Sequence, residues 1–416
     1  MQEKKKLRIA VWHNLPSGGG KRQLYYHIKG LIERGHYIEV WCPESADNDF
    51  LPLRNLVVEH RIPFDKKDFY YWAVKPSFFV YKLARSLEQN SKECAQQINT
   101  KNFDILFVNG CRFFRSSSIA QYVHIPSVLY LGEPYRILYE AQPELLWIKS
   151  KKPKFSKSRM YWFYWFRNCV IQNFFLNGMR AQARLEVDYV RKNNLILVNS
   201  LYSRECLLRT YNIESNVCYL GVDTLFYKPT GEKREKFIIG VGSLIWHKGL
   251  DRAIHAISKI EKEKRPLLIW VGNAASKTDL HYFIELASKN EVEFIPKINI
   301  SDKEVVSLLS RATAMIYTPR LEPFGLAPLE ANACGTPVVA IAEGGIRETM
   351  REGINGFLVA EDNPKILADK LKKFIENPNM TYQIGKLARE EVCKRWSFEK
   401  CIDNIETQLL SVYEKI

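Results

Sequence analysis

The sequence predicts an α/β chain of two doubly wound domains, each a parallel sheet wrapped by helices. Three observations predict it. Short apolar runs rich in β-favouring residues recur at intervals long enough to hold a helix. The alternation breaks once, between Thr224 and Lys236, where Pro229, Gly231 and the mixed charges Lys228, Glu232, Lys233, Arg234, Glu235 and Lys236 read as a junction. A length of 416 residues with 46% apolar content is enough for sizeable cores in two to three domains.

In residues 1–224 the runs Leu7–His13, Ile38–Cys42, Leu56–Arg61, Ile105–Asn109 and Val128–Leu131 read as buried strands, with amphipathic stretches between most of them. Residues 155–192 carry a helical pattern, after which Leu195–Asn199 and Val217–Leu220 resume strand character. In residues 225–396 strands are expected near Phe237–Val241, Leu267–Val271, Val292–Ile295, Ala314–Tyr317 and Pro337–Ile341. The last residues, 397–416, read as a helix opened by Ser397 as N-cap with Glu399 near its first turn. No repeat of solenoid length and no low-complexity tract is visible.

The formal charge of +15 is uneven: residues 1–224 hold 33 Lys/Arg against 20 Asp/Glu. This favours an anionic partner for the first half, whether membrane phospholipid, a lipid phosphate or nucleic acid. A nucleic-acid role is disfavoured because no basic-aromatic module motif is present. The densest cluster, Lys149, Lys151, Lys152, Lys154, Lys157 and Arg159, runs into Tyr161-Trp162-Phe163-Tyr164-Trp165-Phe166. It reads either as a solvated loop entering a core helix or as an interfacial membrane contact. Arg167, Asn168, Gln172 and Asn173 interrupt the apolar run, so a transmembrane span is not expected. Nine cysteines without a C-x-x-C pair, and a start without an apolar leader, point to reduced thiols and a cytoplasmic address.

The chemistry concentrates in Glu322-Pro323-Phe324-Gly325-Leu326-Ala327-Pro328-Leu329-Glu330. The segment follows the Ala314–Tyr317 strand pattern, so Glu322 falls at the carboxyl end of a strand and Glu330 on the next helix, where ligands of open α/β sheets bind. A helix start there presents unpaired N–H groups that suit a phosphate, and two acceptor-only carboxylates suit hydroxyls. A sugar nucleotide meets these demands. Lys248, in Gly240-Val241-Gly242-Ser243-Leu244-Ile245-Trp246-His247-Lys248-Gly249, is expected at the same carboxyl edge, where a cation neutralises a diphosphate. Ile245 stands where a dinucleotide fingerprint has its third glycine, which disfavours NAD. Gly344-Gly345 reads alone as a tight turn. Ser17-Gly18-Gly19-Gly20-Lys21-Arg22 allows close ligand approach but is not a Walker A loop, because Arg22 replaces the magnesium-holding hydroxyl. Asp47-Asn48-Asp49 has the spacing of a metal clamp but no supporting His or Glu nearby, and reads as a turn; no metal is expected.

With these residues in view, the chain resembles the family 4 retaining glycosyltransferases of the GT-B fold over nearly its full length. The resemblance rests on the Glu322-x7-Glu330 block continuing through Ala331-Asn332-Ala333-Cys334-Gly335-Thr336-Pro337, on Gly344-Gly345-x-x-Glu348, and on Lys248-Gly249. Gly35-His36, Val198-Asn199-Ser200 and Gly221-Val222-Asp223 add to it. It implies two Rossmann-like domains facing across a cleft, an acceptor-binding first and a nucleotide-sugar-binding second, with the last helix crossing back to the first. It further implies that Glu322 orients the donor sugar through its hydroxyls, that Glu330 accepts the ribose hydroxyls, and that Lys248 binds the diphosphate. Phe324, Gly325 and Leu326 would supply backbone donors, and Gly18 with Gly19 would close over the phosphates.

The implied reaction moves a hexose, with retention, from a UDP- or GDP-sugar to a glycan or lipid-linked acceptor, without a metal. A peripheral position on the inner face of a membrane would account for the basic first half. Two residues depart from the family pattern: Ser243 stands where an arginine is common, and Gly132 where a histidine follows the fifth strand. They keep open a nucleotide-sugar-binding protein that has lost catalysis; a GT-B sugar-nucleotide epimerase is a further alternative. Glu133 and Arg136 are the candidate acceptor contacts, and His13 is expected to be a packed strand-end residue.

Overall fold

A computed structural model of the chain describes residues 5–64, 77–140, 159–273 and 276–415. The chain divides into two compact units: Met1–Val198, Arg204–Cys218 and Ile402–Ile416 form the first, and Asn199–Ser203 with Tyr219–Cys401 the second.

The first unit contains β1 (Arg8–Asn14), α1 (Gly19–Glu33), β2 (Tyr37–Pro43), β3 (Val58–Ile62), α2 (Ser77–Asn99), β4 (Ile105–Cys111), β5 (Ser127–Gly132) and α3 (Arg136–Tyr139). It continues with α4 (Arg159–Arg191), β6 (Leu195–Val198), most of α5 (Leu201–Tyr211) and β7 (Asn216–Val217). The strands pair in parallel in the order β3-β2-β1-β4-β5-β6-β7. All of β1 after Arg8 is buried, because helices cover both faces of a central parallel strand. The edge strand β3 is only part-buried, and its exposed Val58 starts it. Trp12, Phe107, Phe113, Phe114 and Leu129 lie in or beside the strands of this core.

The second unit repeats the plan with β8 (Phe237–Val241), α6 (Leu250–Ser258), β9 (Leu267–Gly272), α7 (Lys277–Lys289), β10 (Phe294–Ile298), α8 (Asp302–Arg311) and β11 (Ala314–Tyr317). Then follow α9 (Leu326–Ala333), β12 (Val338–Ile341), α10 (Ile346–Thr349), β13 (Gly356–Val359), α11 (Pro364–Glu376) and α12 (Pro378–Arg395). Its sheet is also parallel, ordered β10-β9-β8-β11-β12-β13. Both units are therefore doubly wound, as the alternation predicts.

Two strand expectations need correction, and one strand is additional to them. The run at Val292–Ile295 becomes β10 over Phe294–Ile298, because Glu291 takes a positive φ of 50° and the Val292 N–H closes the end of α7 by donating to Ala287 at 2.9 Å. The expected strand Val217–Leu220 pairs only at Asn216–Val217; by Val222 the chain has turned to donate to Trp396. β13 was not expected. Gly356 opens it at φ 154°, with an added Cβ 1.9 Å from the Val338 carbonyl, so only glycine lets the strand approach β12.

The final helix, α13 (Phe398–Tyr413), groups with the first unit from Ile402 onward. It packs so closely that a Cβ on Gly30 would lie 2.5 Å from Ile402. Arg34 reaches Asp403 at 2.8 Å and Glu406 at 3.0 Å, and the buried His36 meets Glu406 at 3.0 Å.

Candidate functional site

Strand order decides where a ligand can sit in the second unit. The order reverses between β8 and β11, which lie side by side with Ala314 opposite Ile238. The loops leaving their carboxyl ends diverge there, opening the crevice in which such sheets bind ligands. Lys248 leaves β8 and Glu322 leaves β11, so residues 74 apart in sequence meet, the Lys248 ammonium donating to Glu322 Oε2 at 3.1 Å.

Each loop is held by backbone as well as by this pair. Lys248 ends a short 3-10 turn, Trp246–Lys248, and Gly249 follows at φ 78°. A Cβ on Gly249 would lie 2.3 Å from the Thr318 carbonyl oxygen, and the Thr318 hydroxyl donates back to the Gly249 carbonyl at 2.7 Å. The lysine loop is thus fixed to the end of β11. The lysine stem passes over Gly242, whose added Cβ would be 3.5 Å away. Ser243 is part-buried in the same turn, and its carbonyl accepts the Ile245 N–H at 2.8 Å.

On the other side, Leu321 adopts φ 53°, a conformation that costs a branched residue about 1–2 kcal/mol, and its N–H meets Glu343 at 3.3 Å. Arg320 donates to Glu343 at 2.6 Å and to Asp362 at 3.0 Å. The Gly344–Gly345 turn lies against the loop: the Gly345 N–H donates to the Glu322 carbonyl at 2.8 Å. Added Cβ atoms would fall 2.2 Å from Glu322 O at Gly344 and 2.1 Å from Pro323 O at Gly345. The paired glycines are therefore a turn whose position defines the carboxylate loop.

Phe324 is buried against Tyr219 and Trp396. Gly325, at φ 91°, starts α9 without a side-chain cap. The first turn of α9, from Leu326, therefore has no side-chain acceptor at its N-cap. Glu330 lies on the second turn of α9 and is part-buried.

Residues expected in the first unit occupy its own sheet edge. Gly18 precedes α1 at φ 132°, and a Cβ on Gly18 or Gly19 would meet nothing within 4 Å. Glu133 and Arg136 are neighbours at 3.7 Å, with Arg115 3.9 Å from Glu133 and Arg136 donating to Glu140 at 2.6 Å. Gly132, at φ 75°, takes a conformation that a histidine there would strain. His13 is fully buried and burial holds its ring well below the usual histidine range, aided by Lys21 and Arg61, as a packed strand-end residue requires. Asp47 accepts the Phe50 N–H at 2.9 Å, an ordinary turn bond.

Among the described residues one grouping has metal-ligand chemistry, His13, Cys42 and Glu59, whose ligand atoms lie within 4.8 Å of one another. Its surroundings oppose a cation. Lys21 Nζ is 3.5 Å from His13 Nε2, and burial, with Glu59, pushes the Cys42 thiol up to about 12.

Two residues to which the sequence pattern assigns no role, Ser200 and Glu348, prove to hold the carboxylate loop. Ser200 donates to Pro323 O at 2.6 Å, and Glu348 accepts from Leu201 and Tyr202 N–H groups and from the Tyr219 hydroxyl. The signals in the sequence are the polar pair Asn199-Ser200 after a strand and the glutamate of Gly344-Gly345-x-x-Glu348. The cluster Lys149–Lys157 lies outside the described residues, as do the side chains of Tyr161–Trp165. Among the described residues no helix is long and apolar enough to cross a membrane.

Comparison with known proteins agrees with the doubly wound fold. Residues 223–391 match the family described as Glycosyl transferases group 1. A curated relative, an uncharacterized glycosyltransferase of Methanocaldococcus jannaschii, is 26% identical over 240 residues, 58% of this chain and 64% of that protein. The match thus spans less than two thirds of the relative's length. Among solved structures, sucrose-phosphate synthase from Thermosynechococcus elongatus superposes with a TM-score of 0.72 at 16% identity, covering 98% of this chain and 100% of its own. Anabaena HepE in complex with UDP-glucose gives a TM-score of 0.65 at 20% identity, covering 97% of this chain and 99% of its own.

Proposed function

Its second unit being a group 1 glycosyltransferase domain in a chain of the GT-B fold, we propose that this protein moves a hexose from a UDP- or GDP-sugar to a glycan or lipid-linked acceptor, with retention of configuration. The observation that carries the reading is the Lys248–Glu322 couple, 3.1 Å apart at the strand-order reversal and beside the uncapped start of α9.

The donor's diphosphate takes the first turn of α9, with Phe324, Gly325 and Leu326 offering backbone and Lys248 offering charge. Lys248 then releases Glu322, whose oxygens accept sugar hydroxyls and orient the anomeric carbon. Glu330 accepts ribose hydroxyls, and Ser243 lies at the phosphate side. As the bond from the anomeric carbon to the β-phosphate oxygen breaks, negative charge grows on the diphosphate, and a fixed ammonium stabilises that state more than the ground state. The acceptor hydroxyl attacks from the same face and its proton passes to the departing phosphate oxygen. Glu133 and Arg136 serve the acceptor. No metal is assigned, because Lys248 supplies the positive charge.

A panel of nucleotide sugars in a thermal-shift assay tests the donor. UDP or GDP, free or sugar-linked, at about 100 times its dissociation constant should stabilise the fold by about 2.7 kcal/mol. No shift with any of them would remove the reading.

A peripheral contact with an anionic membrane is part of the same proposal. Phe166, Val170 and Phe174 repeat every four residues along α4 and are exposed, Phe166 at 64%. Residues 159–185 contain four arginines and no acid. On α2, Phe78 is 71% exposed, and Tyr81, Lys82 and Arg85 are exposed with it. Apolar anchors among cations without acids suit a headgroup layer. The protein should sediment with vesicles containing phosphatidylglycerol and not with neutral ones, and Phe166→Glu with Phe174→Glu should abolish it; failure to sediment leaves a soluble glycan as acceptor.

A further inference from the structure

The carboxylate loop rests on a piece of chain to which the reaction assigns nothing. Asn199–Ser203 follows directly from β6 and is flanked on both sides by residues of the first unit, yet it belongs to the second. Within it Ser200 is fully buried. Its hydroxyl donates to the Pro323 carbonyl at 2.6 Å and accepts the Ser203 N–H at 2.9 Å. The Ser203 hydroxyl in turn donates to Asn199 Oδ1 at 2.7 Å, which stiffens the turn.

Glu348 holds the same segment from the other side. Its two oxygens accept the N–H groups of Leu201 at 2.9 Å and Tyr202 at 3.0 Å, the first residues of α5. These are donors that a helix leaves without internal partners, so Glu348 acts as a cap supplied from a distant element. The Tyr219 hydroxyl adds a third donor at 2.9 Å. Glu348 itself lies in α10, immediately beyond the Gly344–Gly345 turn. Two successive carbonyls of the loop are thus taken by different elements: Glu322 O by the Gly345 N–H and Pro323 O by the Ser200 hydroxyl.

We propose that Ser200 and Glu348 are positioning residues, which fix the Glu322–Pro323 backbone and through it the distance between the Glu322 carboxylate and Lys248. Ser200 bonds the loop directly; Glu348 fixes the segment that carries Ser200. Removing the Ser200 hydroxyl leaves a buried carbonyl without that donor and lets the loop shift, whereas the phosphate-binding start of α9 is untouched. The effect on turnover rests on the transferase reading above; the effect on loop order does not.

Hydrogen exchange measures loop order without any substrate. In Ser200→Ala the amides of Leu321, Glu322, Phe324 and Gly325 should exchange about tenfold faster, the scale of one lost buried hydrogen bond, while β8 and β12 stay as in the wild type. Ser200→Thr should restore protection, and Glu348→Gln, which keeps one acceptor oxygen, should give a smaller rise. In turnover, nucleoside diphosphate release by Ser200→Ala should fall about tenfold in kcat with KM unchanged, again one hydrogen bond's worth. Wild-type exchange at these amides in Ser200→Ala, or a uniform rise across the second unit, overturns the proposal. A wild-type protein that releases no nucleoside diphosphate from any donor sinks the transferase reading instead, and the exchange result still decides the positioning role.

Discussion

Replacing Lys248 with alanine is expected to lower kcat about 100- to 1,000-fold, the range seen when one fixed charge-stabilising donor is removed from a transition state. The melting temperature should barely move, because both partners of the Lys248–Glu322 pair are partly solvated and such a pair contributes only about 0–1 kcal/mol to stability. Those two expectations together separate a catalytic cation from a structural one. Lys248→Arg should not restore the rate: a planar guanidinium replaces a compact ammonium on a stem confined against Gly242. Glu322→Ala should abolish transfer, and the double substitution should cost little more than Glu322→Ala alone, since in the proposed reaction the two side chains address one sugar diphosphate. The readout is nucleoside diphosphate release alongside thermal melting. A Lys248→Ala protein with wild-type kcat would remove the electrostatic role and, with it, the case for this couple as the centre of the reaction.

The parts of this arrangement that the sequence discloses are those whose signal is local. Ile9–Trp12, Phe237–Val241 and Ala314–Tyr317 lie in central strands, buried on both faces, so each writes itself as an unbroken apolar run. Glu322 and Glu330 are legible because strand, turn and helix follow one another within a few residues and fix which edge the carboxylates occupy. The edge strand Phe294–Ile298 lacks such a run, being part-buried and broken by Pro296 and Lys297, and the short apolar Gly356–Val359 opens on a glycine that reads as a turn. The contact of Lys248 with Glu322 follows from strand order, which no local pattern encodes. Still less visible is Glu348 capping Leu201 and Tyr202 across almost 150 positions, |i−j| being 147 and 146. Hydrogen bonds between irregular segments have no periodicity by which a sequence could announce them.

Gly344→Ala should inactivate the protein as thoroughly as loss of Lys248, by geometry and not by charge. Gly344 has φ 60°, in the left-handed region that costs a residue with a Cβ about 1–2 kcal/mol. The strain is the smaller part. The new methyl carbon would lie 2.2 Å from the Glu322 carbonyl oxygen and 3.0 Å from both its carbonyl carbon and its nitrogen, all backbone atoms that cannot rotate away. Relief requires either the turn or the Glu322 loop to withdraw, and the Gly345-to-Glu322 hydrogen bond at 2.8 Å breaks in both cases. A shift of about 1 Å in a catalytic group is enough to cost about 100-fold in rate. Unlike Lys248→Ala, this change should also lower the melting temperature by several degrees, because buried backbone groups lose their partners. Gly353→Ala is the matched control: it too has positive φ, 75°, but nothing lies within 4 Å of its added Cβ, so it should show the strain without the displacement. If Gly344→Ala and Gly353→Ala lose the same stability and both keep wild-type turnover, the Gly344–Gly345 turn does not set the position of Glu322.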